Sequence, residues 1–151
     1  MAQSPEKLYV QILPDDVWSH YGNLAGIFRG DGNASSPRLV KQSGLRKSDF
    51  WTVEENNETY VLPHSKYGLS FSTTIERLEG KGDGVRIEGQ VWIIEKGTMI
   101  PDGLCFNYDI SKPDHPLLGV SRKMPASDLI QLLDTLARRM KKTNYKIKRL
   151  K

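Results

Sequence analysis

Hydroxyls, imidazoles and carboxylates are the groups of this chain that could do chemistry. Ser70 and Ser72 flank Phe71 in Gly-Leu-Ser-Phe-Ser. On an extended backbone both hydroxyls fall on one face, because side chains alternate along a strand. Read from the residues alone, they decorate an edge strand. The three histidines are His20, His64 and His115. No pair of them, and no pairing with Cys105, has the short spacing of a zinc site. His115 stands between Asp114 and Pro116, just ahead of an expected strand, where a lone histidine is usually a polar surface or core-edge residue. Glu88 and Glu95, near strand ends, are the carboxylates best placed for a directed role. Glu54-Glu55 and Asp15-Asp16 suit turns and helix starts.

Other chemistries lack their residues. Lys81 sits among Gly80, Gly82 and Gly84, but the Walker pattern Gly-x4-Gly-Lys-Ser/Thr is absent. Tyr-Gly-Leu-Ser-Phe comes nearest to a nucleophile elbow and lacks its second glycine. A Ser-His-Asp triad stays open, since its members come together from distant positions.

The elements that must position these residues can be read in part. Leu8 to Leu13 alternates as a strand, and Pro14-Asp15-Asp16 opens a short helix ended by Gly22. Gly30 to Gly44 has loop composition, a connector or a lid. Phe50–Val53 and Thr59–Leu62 form a hairpin around Glu-Glu-Asn-Asn-Glu, and Pro63 ends it. Gly68 to Phe71 is extended. Thr73-Thr-Ile-Glu76 is a capping-box pattern for a helix to about Glu79. Further strands are expected at Val85–Ile87, Val91–Ile94, Leu104–Tyr108 and Leu117–Val120. Leu129, Leu132, Leu133, Leu136, Ala137 and Met140 recur at helical spacing, and Pro125 or Ser127 starts that helix. Few helices among many short strands indicate an α+β domain.

The 151 residues suit one domain, with 38% hydrophobic and 26% charged residues. No apolar run is long enough to span a membrane. The first residues, Met-Ala-Gln-Ser-Pro-Glu-Lys, lack the apolar core of a signal peptide, and one cysteine cannot form an internal disulfide. A cytosolic location is expected, and a protein exported without a signal peptide would look the same. The net charge of +4 is uneven. Arg138 to Lys151 carries eight basic residues and no acidic one, leaving 14 basic against 18 acidic elsewhere, a balance of −4. Residues 141–151 therefore read as a basic C-terminal tail, either solvated or a contact for nucleic acid or an acidic partner.

The spacing of several pieces resembles the type VI secretion exported toxins of the second class. That family shows Gly-Thr-x-Ile-Pro-x-x-Leu with an aspartate five residues on, matched by Gly97, Thr98, Ile100, Pro101, Leu104 and Asp109. A histidine, a methionine nine residues later and a helical Leu-Asp follow, matched by His115, Met124 and Leu133-Asp134. Its Gly-Thr-Ser-Val-Phe after a hairpin ending in proline corresponds to Gly68–Ser72 after Pro63. Its first-strand Leu-Tyr corresponds to Leu8-Tyr9. Where the family has arginine next, this chain has Val10, and its threonine before the serine is Leu69.

The resemblance implies an ADP-ribosyltransferase-like split β core with flanking helices over residues 1–140, followed by the tail. It implies a toxin that uses NAD as substrate, with no metal, modifies a cytosolic target, arrests growth and is countered by an immunity or antitoxin protein. The chemistry breaks the nicotinamide–ribose bond through a transition state resembling an oxocarbenium ion. Ser70, Ser72 and His115 are then the catalytic candidates, and Tyr9, Tyr67 and Phe71 the cofactor-binding ones. No residue stands clearly where the family's catalytic glutamate would. Two other readings follow from the residues: a nucleic-acid-binding module using the basic end, and an inactive scaffold of the same fold that acts by protein binding.

Overall fold

In a computed structural model of the chain, residues 26–41, 44–81, 87–95, 98–109 and 112–148 are described. Their elements run β1 (Gly26–Gly32), a 3-10 turn (Lys47–Asp49), β2 (Trp51–Glu55), β3 (Glu58–Leu62), β4 (Leu69–Ser70) and α1 (Ile75–Leu78). Then come β5 (Gly89–Glu95), β6 (Leu104–Asp109), β7 (Lys112–Val120), β8 (Met124–Pro125), α2 (Ala126–Arg139) and β9 (Lys141–Ile147). This is a mixed α+β arrangement, mostly strands. The strand expected at Leu8–Leu13, with Tyr9, and the helix expected after it lie outside the described residues.

The hairpin forms where turn chemistry allows it. Asn56 and Asn57 both take left-handed backbone, with φ of 51° and 66°. Paired positive φ values suit the twist of a two-residue hairpin, and asparagine tolerates them best after glycine. Glu55 then faces Glu58, and Trp51 faces Leu62. β8 adds to β3 through Val61 and Met124, and α2 begins at once behind Pro125, whose fixed φ suits a helix start.

Helix α2 buries Leu129, Leu133 and Leu136 completely, with Met140 just beyond its end. They meet Val61, Phe71, Phe106 and Leu118 in the main core. Each such side chain contributes about 1.5–3 kcal/mol on leaving water. Leu39 and Leu45 also enter this core, so the stretch expected as a loop from Gly30 to Gly44 is anchored by apolar residues. Its first three residues, 30–32, belong to β1. That strand escapes periodicity because it is buried on both faces: Ile27 joins the main core while Phe28 joins a second cluster with Leu78, Val91 and Ile147.

The strands make three antiparallel sheets, in the orders β1-β5-β9, β2-β3-β8 and β4-β7-β6. Ser72, just past β4, bridges Phe28 of β1: Phe28 N donates to the Ser72 carbonyl at 2.7 Å and Ser72 N to the Phe28 carbonyl at 2.8 Å. This bridge joins the first sheet to the third.

Three local expectations change. The cap of α1 is Thr74, whose hydroxyl accepts from Arg77 N, rather than Thr73. Gly89 is the first residue of β5 rather than a position ahead of it, with φ of 130°. A Cβ there would lie 2.8 Å from the Gly32 carbonyl oxygen, so only glycine lets β1 approach. Most of the strand expected at Val85–Ile87 lies outside the described residues, and Ile87 itself precedes β5. Strand β7 starts five residues earlier than expected, at Lys112.

The basic end is the largest change. Lys141–Ile147 is not a loose tail but the edge strand β9, paired with β5 from Ile93–Lys141 to Gly89–Ile147, with Ile147 buried. Only one of its seven side chains is fully buried, so it carries almost no periodic signal. A lysine-rich edge also discourages wrong strand pairing.

The core assignment yields a stability test. Leu133→Ala should lower stability by about 2–5 kcal/mol, from lost transfer free energy and the cavity left behind. Asp134→Ala, on the exposed side of the same helix, should change it by less than about 0.5 kcal/mol. Urea denaturation followed by circular dichroism reads both.

Candidate functional site

Beyond the Phe28–Ser72 bridge the first and third sheets stand around a cavity of about 530 Å³. Arg29, Gly30 and Asp31 line it from β1, and Ser70, Phe71 and Ser72 from β4 and the residues after it. His115 enters from β7, Arg77 and Leu78 from α1, Ile87 and Glu88 from the approach to β5, and Arg46 and Asp49 from around the 3-10 turn.

Arg29 is the buried charge of the site, only 6% exposed. It follows Phe28 and so faces the opposite side of β1 from the second cluster. Its Nη1 donates to the Ser70 carbonyl at 2.9 Å. Its Nη2 lies 3.8 Å from Asp31 Oδ2, and its guanidinium sits 6.0 Å over the Phe71 ring. Its Nε is buried with no hydrogen-bond partner among the described residues. Burial, and then repulsion by Arg46, lower the Arg29 pKa to about 10, with Asp31 and Asp49 acting the other way. Arg29 therefore stays charged at neutral pH. The lowered value means that protonation disfavours the folded state. That cost is in force at neutral pH and lifts only as pH rises through about 10.

Asp31 is the counter-charge. It takes Arg46 at 3.3 Å and Arg38 at 4.0 Å besides Arg29, and Arg46 Nε also donates to Asp49 at 3.0 Å. The cavity wall thus alternates cations and anions.

Ser70 and His115 come from positions 45 apart, and His115 Nε2 lies 3.2 Å from Ser70 Oγ. Two local features bring them together. Gly68 has φ of 152°, and a Cβ there would lie 2.6 Å from the Leu118 carbonyl oxygen, so glycine lets β4 close on β7. Between the pairs Asn107–Leu117 and Asp109–Lys112, β6 advances two residues while β7 advances five. Such a bulge re-aims side chains, and it takes in both prolines of β7, which cannot donate to a regular ladder. His115 sits in it.

The other named positions divide. Ser72 lines the cavity but is 1% exposed. Its hydroxyl donates to the Thr74 carbonyl at 2.6 Å and accepts from Thr74 N at 3.1 Å, so it fixes the chain between bridge and helix. Phe71 is 1% exposed, with the Phe106 ring edge-on at 5.3 Å and Arg29 over it. It is a core ring beneath the cavity, with no open face for stacking. Tyr67 lies outside the lining, in an aromatic cluster with His64 at 4.8 Å and Trp51 at 5.4 Å. Glu88 lines the cavity, whereas Glu95, at the other end of β5, does not. Among the described residues, no three His, Cys, Asp or Glu side chains come together as a metal site.

Arg29, Asp31, Arg46 and Arg77 were not singled out from the sequence. The one signal was Phe-Arg-Gly-Asp-Gly, an arginine directly after two apolar residues in a stretch read mostly as loop. No known protein family, curated protein or solved structure matches the chain.

The two serines should behave differently. Ser72→Ala leaves the Thr74 amide without its acceptor and should lower stability by about 1–3 kcal/mol. Ser70→Ala should leave stability within about 0.5 kcal/mol. Parallel denaturation curves decide the matter.

Proposed function

We propose that the cavity binds NAD and that the chain is an ADP-ribosyltransferase-like toxin, which modifies a cytosolic target, arrests growth and is held in check by an immunity protein covering the cavity mouth. The observation that carries this reading is the Ser70–His115 contact in a cavity with a buried arginine in its wall. The residues present fit a dinucleotide. The volume lies in the range of small-molecule pockets. Arg29 Nε offers a buried donor that no described group uses, and Arg46 and Arg77 add cations suited to phosphate oxygens.

NAD supplies a ribosyl group whose bond to nicotinamide breaks heterolytically. The chain's own groups then have separate tasks. Arg29, Arg46 and Arg77 attract the phosphates. Asp31 and Asp49 hold Arg46 so that it meets the ligand already oriented, which lowers the ordering cost of binding. Ser70 Oγ hydrogen-bonds a ribose hydroxyl, and His115 Nε2 takes the proton of the attacking acceptor. Glu88 supplies the negative charge that a cationic sugar favours. The ring to hold nicotinamide is not Phe71, which is packed away.

Isothermal titration calorimetry with NAD tests the reading. Wild-type protein should bind, and Arg29→Met should weaken binding at least tenfold. His115→Ala should cut nicotinamide release by about 10²–10⁴-fold, the usual contribution of a positioned acid or base, while circular dichroism stays unchanged. Absent NAD binding, together with normal growth of cells expressing the protein, overturns the proposal. Growth arrest that survives His115→Ala points instead to a scaffold acting by protein binding.

A further inference from the structure

The cationic strand β9 has no role in the cavity's chemistry, yet it leads to the cavity's edge. Lys141, Lys142, Lys146 and Lys148 are all exposed, and no acidic residue lies among them. Gly89 of β5 pairs with Ile147, and the residue before Gly89 is Glu88, part of the cavity lining. The lysines therefore form a row running from the end of α2 toward the cavity rim.

The strand is also irregular in a specific way. Between the pairs Gln90–Lys146 and Trp92–Lys142, β5 advances two residues and β9 four. The bulge is fixed by side chains. Gln90 Nε2 donates to the Thr143 carbonyl at 2.7 Å and the Tyr145 carbonyl at 2.8 Å, and Thr143 Oγ1 donates to the Val91 carbonyl at 2.7 Å. Tyr145 N donates back to Thr143 Oγ1 at 3.0 Å. Tyr145 is left 54% exposed among the lysines.

We infer that β9 is a binding surface for single-stranded nucleic acid, and that a strand held there is presented to the cavity as the acceptor. Charge complementarity calls for a polyanion. Two candidates share that chemistry, an acidic protein strand and a nucleic acid, and the bulge separates them. An added protein strand needs a regular run of free backbone groups along the outer edge, and a bulge interrupts that run. Recognition here has to go through side chains. Lysine ammonium groups neutralise phosphates, and an exposed ring among them stacks on a base, the usual combination for single strands. A duplex keeps its bases paired and gives Tyr145 nothing to stack on.

Only the acceptor role rests on the NAD reading; binding to β9 does not. In that role the ribosyl carbon's bond to nicotinamide nitrogen breaks, its electron pair leaving with nicotinamide. A bond forms to a base nitrogen or hydroxyl of the strand, and the displaced proton passes to His115.

Fluorescence anisotropy of the full chain with a labelled 12-nucleotide single strand tests the surface. Affinity should fall linearly with salt on logarithmic axes, as phosphate neutralisation releases counterions. The Lys142→Glu, Lys146→Glu double variant should bind at least tenfold more weakly with unchanged circular dichroism. Tyr145→Ala, which leaves every charge in place, should weaken binding about fivefold or more. Arg29→Met should leave oligonucleotide binding intact even if it abolishes NAD binding, so the two readings can fail separately. No binding at low salt overturns the inference, as does binding indifferent to both β9 variants. Equal binding of duplex or of polyglutamate overturns it too. If the strand binds and NAD binds, but no ADP-ribose mass appears on the oligonucleotide, the acceptor role is overturned.

Discussion

Two backbone hydrogen bonds between Phe28 and Ser72 hold the site together. Among the described residues they link the sheet that carries β1 to the one that carries β4. On one side of the bridge, Ile27 and Phe71 enter the main core. On the other, Arg29 reaches across to the Ser70 carbonyl, and there the cavity opens. Apolar packing thus stops where a buried cation begins. A guanidinium at that seam cannot be covered with hydrocarbon at low cost, because a desolvated charge needs partners. The Ser70 carbonyl and the Asp31 carboxylate are those partners, and they keep the wall polar.

The same constraint explains the alternation of charge around Asp31. Three arginines within 4.0 Å would repel one another without it. With it, Arg46 is held by two carboxylates while staying on the cavity surface. A site arranged in this way is close to electrically balanced. It suits a ligand that brings both signs of charge better than a simple anion.

How much of this could be read from the chain depends on how each element is stabilised. The Asn56-Asn57 hairpin and α2 were legible because local chemistry decides them: left-handed turn residues in one case, a one-sided apolar stripe in the other. Strand β1 was not, since Ile27 and Phe28 are buried on opposite faces and the rest is three glycines with Arg29 and Asp31. Strand β9 hid because its partner supplies the apolar surface and its own side chains are mostly polar or charged. In the site, Ser70 and His115 stood out as chemical types and do lie in contact. Ser72 stood out equally, but its hydroxyl is used up by the turn to Thr74. Arg29 could not be recognised without the strand that buries it, because an arginine reads as surface until its neighbours are known. The ADP-ribosyltransferase-like core was an expectation from resemblance, and the sheet orders describe a mixed α+β fold in more general terms.

The pairing of β5 with both β1 and β9 has a consequence for synthesis. Gly26 meets Glu95, and Gly89 meets Ile147, so this sheet closes only through contacts between distant parts of the chain. Such contacts form slowly, and during translation they must wait for the last partner to leave the ribosome. The wall bearing Arg29 is therefore completed only after residue 147 has emerged. A partly made chain that stops short of β9 therefore lacks the finished wall of the cavity.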